Sequence, residues 1–278
     1  MIMKNTIDGK TVVLTGDKNC YLVIADLHLG WHIKLSESTG AEFPPQDEVM
    51  LREIHTLIEK YDVTELYLIG DVKHSFGADV SFNWQRIPKF MEALTEKTEV
   101  AVIVGNHDGD LEALLPRDVA LHGSKGKLIE EGDSSVGLIH GHAWPSPEVL
   151  SADLIIEGHN HPALSNLKAV SSSALRRTIR RRSKSIPVTL SSKLNRTCVQ
   201  KNLDLSIDEN LDQRVLVTLP SFNKLVSGIP VDSPESTFRG PIFGNGCANL
   251  VKSKVFSTQG TYLGTVRFLR NRLVEMIK

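Results

Sequence analysis

In the segment LVIADLHLG, at residues 22–30, an apolar run ends in an acid and a histidine. An apolar run of this length predicts a strand that is buried on both faces. Asp26 and His28 lie two positions apart, so on an extended backbone their side chains point the same way. A carboxylate beside an imidazole at a strand end makes half of a divalent-metal site. A helix-capping aspartate with an unrelated histidine nearby is the alternative interpretation of this stretch alone.

Two further apolar runs in the first half of the chain end in polar side chains in the same way. One is followed by GDVKH at residues 70–74 and the other by GNHD at residues 105–108. Strands that alternate with helices predict a parallel α/β sheet, whose site forms outside the carboxyl ends of the strands. The expected elements are strands at 11–15, 20–25, 64–69 and 99–104, helices at 47–61 and 82–97 (the second with Trp84 on its core face), and a long loop at 31–45.

The second half of the chain is predicted to be richer in β-structure. Short apolar segments separated by glycines lead to HGH at residues 140–142 and GHNHP at residues 158–162. His159 and His161 are two positions apart and are again expected to face the same way. The later strands are expected at 214–219 and 262–269.

The overall composition is that of an ordinary soluble protein, with 41% hydrophobic and 23% charged residues and a net charge of −1. Cys20, Cys198 and Cys247 are far apart in sequence, which argues against a disulfide scaffold or a zinc finger and suits a reducing cytoplasm. Residues 1–10 lack the apolar core of a signal peptide, and no apolar run approaches the ~20 residues that span a membrane. We therefore expect a cytoplasmic protein without a membrane partner.

The polar residues at five successive strand ends form one candidate constellation. Each motif alone has an explanation as a turn, since glycine and asparagine tolerate turn dihedrals, but five in succession argue against coincidence. Carboxylate, imidazole and amide ligands suit manganese, iron or zinc rather than calcium, and the number of ligands implies two ions. Two divalent ions, two carboxylates and a bridging hydroxide leave a charge of about +1, which attracts a phosphate ester. The candidates are Asp26, His28, Asp71, Asn106, His107, His140, His142, His159 and His161.

The series DLH, GDVKH, GNHD, HGH and GHNH, between Leu22 and Pro162, resembles the calcineurin-like metallophosphoesterase family. The resemblance implies an α/β (α+β) fold of four layers, in which two β-sheets pack face to face with helices outside. It also implies two divalent metal ions, manganese first, with iron, nickel, zinc or magnesium as alternatives. It assigns Asp26, His28 and His161 to the first ion, Asp71 to a bridge between the ions, and Asn106, His140 and His159 to the second ion.

The resemblance gives the remaining histidines other roles. His107 is not a ligand: it faces the substrate, stabilises the phosphate and protonates the leaving oxygen. His74, in the pattern GD-x-x-His, is similar to the histidine that supports the catalytic one in repair nucleases of the family. His142 is a neighbour of the site, because the family takes the histidine that precedes glycine, which here is His140.

The tail is similar to one subgroup of the family, the small archaeal phosphoesterases and the ligase-associated bacterial nucleases. The matching pieces are GHNHPA at residues 158–163, LPSFN at residues 219–223 and Leu263-Gly264. The resemblance implies hydrolysis of phosphodiester bonds, in nucleic acids or nucleotides, by a hydroxide that bridges the metals. The alternatives are a nucleic-acid-binding protein with a vestigial metal site and a small-molecule phosphatase.

A basic segment follows the last metal motif. Residues 166–201 contain ten Lys or Arg and no Asp or Glu, so the rest of the chain holds 22 basic against 33 acidic residues. We interpret residues 166–212 as an insertion within a single domain that spans residues 1–278. The segment is either a solvated loop or a clamp on the phosphate backbone of DNA or RNA. The substrate-binding candidates are Arg176, Arg177, Arg180, Arg181 and Arg182.

Overall fold

The first half of the chain forms a six-stranded β-sheet whose strands lie in the order of the sequence. The structure is a computed structural model that describes residues 3–75, 81–165, 185–206 and 213–277. The first three strands pair antiparallel, and the third to the sixth are parallel, as the alternation of apolar runs and helices predicts. The strands are β1 (Lys4–Asp8), β2 (Thr11–Thr15), β3 (Cys20–Ile24), β4 (Glu65–Ile69), β5 (Glu99–Ile103) and β6 (Ala120–His122).

Four helical segments lie in the described part of the first half, and the last three of them pack on one face of this sheet. They are α1 (Trp31–Thr39), α2 (Asp47–Tyr61), α3 (Ser81–Thr95) and a 3-10 turn (Leu111–Leu114). The prediction of a loop over residues 31–45 is wrong for its first part, which forms α1. This helix buries only His32 among its residues, so its sequence carries no apolar period, and it ends at Gly40, which adopts a left-handed conformation with φ 69°.

The predicted core face of α3 is wrong at one position. Trp84 is 51% exposed, whereas Ile87, Met91 and Leu94 are buried as expected. Asn83 takes the buried position in the first turn of the helix, because its side-chain amide donates a hydrogen bond to Ser75 Oγ at 2.9 Å. The next residue is rotated by about 100° around the helix and therefore points towards solvent.

The second half of the chain forms a seven-stranded sheet with the order β16-β15-β12-β13-β9-β8-β7. Its three neighbouring strands β8, β9 and β13 are parallel, and the other pairs are antiparallel. The strands are β7 (Lys127–Glu131), β8 (Ser134–Ile139), β9 (Leu154–Glu157), β12 (Thr189–Leu194), β13 (Arg214–Thr218), β15 (Lys254–Phe256) and β16 (Tyr262–Thr265).

A small sheet and four helices complete the described part of the second half. The small sheet has the order β11-β10-β14. Its strands are β10 (Pro162–Leu164), β11 (Ile186–Pro187) and β14 (Ile229–Pro230). The helices are α4 (Pro147–Ser151), α5 (Arg196–Asn202), α6 (Pro241–Gly244) and α7 (Val266–Ile277), with a 3-10 turn at Leu250–Lys252.

The two large sheets pack face to face through an apolar core. In β3, Leu22 and Ile24 pack with the helices of the first half, whereas Val23 contacts the core between the sheets. The second sheet contributes Leu138 and Ile156 to the same core. Because β3 is buried on both sides, it reads as a continuous apolar run in the sequence. The four-layer α/β fold expected from the sequence is thus confirmed.

The bounds expected for the insertion, residues 166–212, are too wide. Within that range β12 pairs with both β13 and β15, so it is an interior strand of the second sheet. Helix α5 follows it and packs Val199 into the core on the outer face of that sheet. Residues 166–184, which include the five candidate arginines, lie outside the described residues.

The expectation of unpaired cysteines is also wrong. Cys198 and Cys247 form a disulfide that joins α5 to the segment after α6, whereas Cys20 is free and buried. The two bonded cysteines are 49 positions apart, and the fold brings their Cα atoms to 5.3 Å. Spacing along a chain does not reveal distance in space, so this pair could not be predicted from the sequence. None of the helices in the described ranges combines the length and apolar character that a membrane crossing requires.

Candidate metal centre

The candidate ligands meet at one edge of the molecule, where the carboxyl ends of parallel strands from both sheets come together. Asp26 and His28 follow β3, Asp71 follows β4 and Asn106 follows β5 in the first sheet. The second sheet supplies the remaining candidates after β8 and β9, and they are His140, His159 and His161. The site therefore lies across the boundary between the two sheets, and neither sheet alone contains it.

The first cluster consists of Asp26, His28 and His161, whose donor atoms lie within 4.8 Å of one another. His161 Nε2 is 3.0 Å from Asp26 Oδ1 and 3.4 Å from His28 Nε2. These are the three residues that the resemblance assigned to one ion. Asp26 is fully buried, and the Ser221 hydroxyl and the His159 amide donate to its backbone carbonyl and its carboxylate respectively.

The second cluster surrounds Asp71 and His140. His140 Nε2 lies 3.4 Å from Asp71 Oδ1 and 3.2 Å from Asn106 Oδ1. His140 Nδ1 lies 2.9 Å from the carbonyl of Ile69 and donates to it, which directs Nε2 towards the site. Asp71 also faces the first cluster, because its Oδ2 lies 3.6 Å from His28 Nε2. Its position between the clusters is what a bridging carboxylate requires.

The other histidines of the second half surround this cluster. The rings of His159 and His140 have centroids 5.0 Å apart. His142 is 5.2 Å from His140 by the same measure, and neither His142 nor His159 joins the groups of candidate ligands found among the described residues. His159 therefore lies beside the second cluster while His161 joins the first, which contradicts the expectation that these two histidines face the same way.

The backbone at the candidate ligands is left-handed. Among the described residues, eight that are not glycine have a positive φ, and five of these are candidate ligands. Such residues are strained, and they cluster at functional sites, where the surrounding fold imposes the conformation. The extended backbone assumed for Asp26 and His28 is therefore wrong. The five ligands are Asp26 (59°), His28 (42°), Asp71 (53°), His159 (67°) and His161 (43°).

The electrostatics of the site fit divalent cations. Burial lowers the pKa of His28 to about 3 and that of His159 to about 4, so both imidazoles are neutral at pH 7, the form that binds metal. Burial also opposes charge on His140, but the Asp71 and Asp26 carboxylates beside it raise its pKa to about 9. Burial disfavours the charged form of Asp71, yet the neighbouring His140 holds the pKa of this carboxyl below its ordinary value. Two buried carboxylates, the neutral imidazoles of His28 and His159, and the His140 imidazole between the carboxylates form a donor set that suits two divalent ions.

His107 lies next to the clusters and is fixed by the segment that carries Asp71. Its backbone amide donates to Asp71 Oδ1 at 2.8 Å, and its ring Nδ1 lies 2.5 Å from the carbonyl of His74. The ring therefore directs Nε2 into the site, 4.0 Å from Asp71 Oδ2. His28, His74 and His107 also have donor atoms within 4.8 Å of one another, but this third group contains no carboxylate.

His74 contacts His107 through its backbone and through ring stacking. Their rings are nearly parallel, with centroids 5.2 Å apart and an interplanar angle of 25°. The His74 ring also contacts the Trp31 ring edge to face, with the two ring centroids 4.4 Å apart. Burial and the neighbouring His107 lower the pKa of His74 to about 4, so its ring is neutral at pH 7.

Several residues that support the site were not identified from the sequence. Asn223 donates its side-chain amide to the carbonyls of Leu27 and His28, at 2.9 and 3.3 Å. Asp108 is buried and accepts hydrogen bonds from the amides of Gly105 and Lys73, at 2.9 and 3.2 Å. The motifs LPSFN and GNHD contain these residues, but the motifs do not show which backbone groups the side chains reach.

The fold and the site together define a class of enzyme with a two-metal centre built at the boundary of two sheets. Residues 21–163, just over half of the chain, match the family of calcineurin-like phosphoesterases. The chain belongs to this family and is accordingly a hydrolase that acts on phosphate ester bonds. A search of curated proteins finds no match.

Three solved structures are similar to this chain to different degrees. The crystal structure of the Pseudomonas putida nuclease MPE is similar, with a TM-score of 0.51 and 18% sequence identity over 94% of this chain and 100% of that chain. An archaeal phosphodiesterase is similar with a TM-score of 0.36 and 14% identity, over 87% of this chain and 96% of that chain. A protein of unknown function from Aquifex aeolicus has a TM-score of 0.36 and 21% identity, over 51% of this chain and 78% of that chain.

Proposed function

We propose that the protein hydrolyses phosphodiester bonds in nucleic acids or nucleotides, with two divalent ions, manganese foremost, held by the two clusters. The observation that carries the proposal is the orientation of His107. Its Nδ1 is engaged by the His74 carbonyl, so its Nε2 is directed to the side of the ring where Asp71 lies. An imidazole oriented in this way suits a proton donor to a leaving oxygen.

Each residue of the site has a role in the proposed reaction. Asp26, His28 and His161 hold one ion, Asn106, His140 and His159 hold the other, and Asp71 is shared by both. When bound, two divalent ions lower the pKa of a shared water and offset the charge of the phosphate. His107 protonates the leaving oxygen through Nε2, and the backbone of His74 keeps the other ring nitrogen protonated.

The His107→Ala variant tests this assignment. It should retain two metal ions per chain but lose about 10²–10⁴-fold in turnover of a small diester, because a general acid contributes that much. The loss should be larger for alkyl leaving groups than for p-nitrophenol, which needs less help from a proton. His55→Ala, which alters a histidine bonded to the Ala93 carbonyl outside the site, is the control. An equal loss for both leaving groups would exclude the acid role.

A nucleic-acid substrate is the second part of the proposal. The ten basic residues of segment 166–201 leave the rest of the chain with a balance of −11. Seven of the ten lie between residues 168 and 184, in the part of the segment that comes soon after GHNHP. Lys and Arg that neutralise phosphates dominate affinity for nucleic acids and make it depend on salt. With few aromatic residues in the segment, binding should be largely independent of sequence.

The five arginines can be tested together. Changing Arg176, Arg177, Arg180, Arg181 and Arg182 to Ala should weaken binding of DNA or RNA and flatten its salt dependence, while turnover of a small diester stays the same. The same five positions changed to Lys keep the charge and should retain most of the affinity. Unchanged affinity and salt slope in the Ala variant would favour a small-molecule phosphatase. Nucleic-acid binding without hydrolysis of any diester by the metal-loaded protein would favour a binding protein with a vestigial site.

A further inference from the structure

A lysine lies fully buried inside the site, at 0% exposure. Lys73 stands between Asp71 and His74 in the motif GDVKH. A buried ammonium group is costly unless its hydrogen bonds are satisfied, so the partners of this one show what the group stabilises. This lysine has no role among the residues proposed to carry out hydrolysis.

Among the described residues, two backbone carbonyls accept hydrogen bonds from the Lys73 ammonium group. One belongs to Ser75 and the other to His107, each at 2.7 Å. The backbone amide of Lys73 donates to the Asp108 carboxylate at 3.2 Å. The lysine therefore joins the loop after β4 to the loop after β5 in two places.

Three groups of His107 are consequently hydrogen-bonded to one short segment, residues 71–74. Asp71 accepts from its amide, His74 accepts from its ring Nδ1, and Lys73 donates to its carbonyl. Without the lysine, the His107 carbonyl would lose the donor that Lys73 provides. The peptide group would then be able to turn towards another donor, and the ring would turn with it.

We propose that Lys73 is a positioning residue for His107, which sets the direction of the His107 imidazole through the hydrogen bond to its carbonyl. The inference rests on the proposed role of His107 as the proton donor. Lys73 acts through the backbone of the loop, because its ammonium group donates to the His107 carbonyl. A displacement of about 1 Å in a catalytic group can lower a rate by about 10²-fold.

The Lys73→Met variant keeps the length of the side chain and removes its charge and donors. We expect both metal ions to remain and turnover to fall about 10–100-fold, with the larger loss for alkyl leaving groups, as for His107→Ala. In a double-mutant cycle, Lys73→Met should cost nothing further once His107 is Ala, because the two residues act as a unit. Losses that multiply in the double variant, or are equal for all leaving groups, would overturn the proposal.

Two further variants separate positioning from general damage to the fold. Lys73→Arg keeps a cation with several donors and should recover part of the activity, with the leaving-group dependence returning towards that of the unaltered protein. Arg196→Met alters another buried cation that donates to a backbone carbonyl, that of Ser151, outside the site. It should lower the free energy of unfolding without changing the leaving-group dependence. If Arg196→Met changed the leaving-group dependence as much as Lys73→Met does, this dependence would report only the stability of the fold.

A measurement without turnover tests the inference independently of the proposed function. In the metal-free protein, nitrogen NMR of His107 should show a proton fixed on Nδ1, because this atom bonds to the His74 carbonyl. In Lys73→Met the signals should shift towards a mixture of the two ring tautomers. An unchanged tautomer would refute the positioning role even if the enzyme were active. A changed tautomer in a protein without phosphodiesterase activity would keep the positioning role and refute the proposed function.

Discussion

Asp71 is the residue on which the two clusters depend, because one of its oxygens faces His28 and the other faces His140. We predict that Asp71→Asn lowers metal content below two ions per chain and abolishes hydrolysis, since an amide cannot supply the shared negative charge. Elemental analysis of the purified variant together with a diester assay measures both effects. Asp110→Asn, an exposed acid in the next loop, is the control and should leave both unchanged. Full occupancy together with full activity in Asp71→Asn would remove Asp71 from the bridge.

Lys10 gives a prediction about pH that does not involve the metal ligands. Burial lowers the pKa of its ammonium group to about 8, with a further lowering by Lys224 and a smaller rise from Glu53. Between pH 8 and 10.5 the unfolded chain holds a proton on this lysine that the folded chain has released, so stability rises with pH across this window. At lower pH the charged form is present in both states, and its burial costs stability.

The Lys10→Met variant buries no charge, so at low pH it should be more stable than the unaltered protein in this respect. This difference in the free energy of unfolding should shrink as the pH increases. Relative to this variant, the unaltered protein should gain about 1–2 kcal/mol in the free energy of unfolding between pH 8 and 10, after allowance for solvent screening. Urea unfolding of the metal-free proteins at several pH values measures the difference. Lys18→Met, at an exposed position, serves as the control, for which the difference should not vary with pH. A flat difference for Lys10→Met as well would show that the Lys10 pKa is not lowered.

At the residue scale, the sequence predicted which side chains meet but not how the backbone presents them. The repeated pattern of an apolar run followed by an acid or histidine predicted that Asp26, Asp71 and His140 lie close together, because the carboxyl ends of parallel strands meet at one edge. The left-handed conformations at Asp26 and His161 depend on contacts with loops far away in the chain. Residue types and spacing do not contain those contacts, so the direction of each side chain could not be derived.

The segment after β13 supports the loop after β3, and only the three-dimensional structure shows this contact. Asn223→Ala should leave the carbonyls of Leu27 and His28 without their donor, and we expect a loss of about 1–3 kcal/mol in the free energy of unfolding. The first ion should also bind about tenfold more weakly, because its ligand loop is less well fixed. Urea unfolding and calorimetric titration with Mn²⁺ measure these effects.

The control for this element is Asn249→Ala. Asn249 accepts a hydrogen bond from the Lys252 amide at the start of a 3-10 turn, away from the candidate ligands. Its replacement should cost about 1 kcal/mol of stability and leave metal affinity as it was. If Asn223→Ala changed stability alone, in the manner of the control, the loop after β13 would be a structural support without influence on the metals.

At the element scale, long buried elements followed from the sequence and short or exposed ones did not. Helix α2 and strands β3, β4 and β5 carry strong apolar patterns, and all were predicted. Strand β1 was missed, because three of its five residues are exposed at the edge of the sheet. Helix α1 was missed because it buries a single side chain, and periodicity appears only where a face is buried.

For the whole molecule, the division of ligands between two sheets predicts a large effect of metal removal. An ion held by residues of both sheets binds the folded chain only, so it stabilises by about 2.7 kcal/mol at a concentration of 100 times its dissociation constant. We therefore expect the urea midpoint to fall when metals are removed with a chelator and to rise again with increasing Mn²⁺. Asp71→Asn should show a smaller rise. A midpoint independent of Mn²⁺ would argue that the clusters do not bind it in the folded state.

The support that Asn223 gives to the loop after β3 also limits when the site can form during synthesis. The two partners are separated by 195 and 196 positions, and β13, which leads to Asn223, lies between β9 and β12. A ribosome that has released residues 1–165 has already made every candidate ligand, but it has not made the strand and side chain that complete the site. The nascent chain is thus expected to bind the first metal ion about tenfold more weakly until residue 223 has emerged. Full affinity for the metal is reached only late in synthesis.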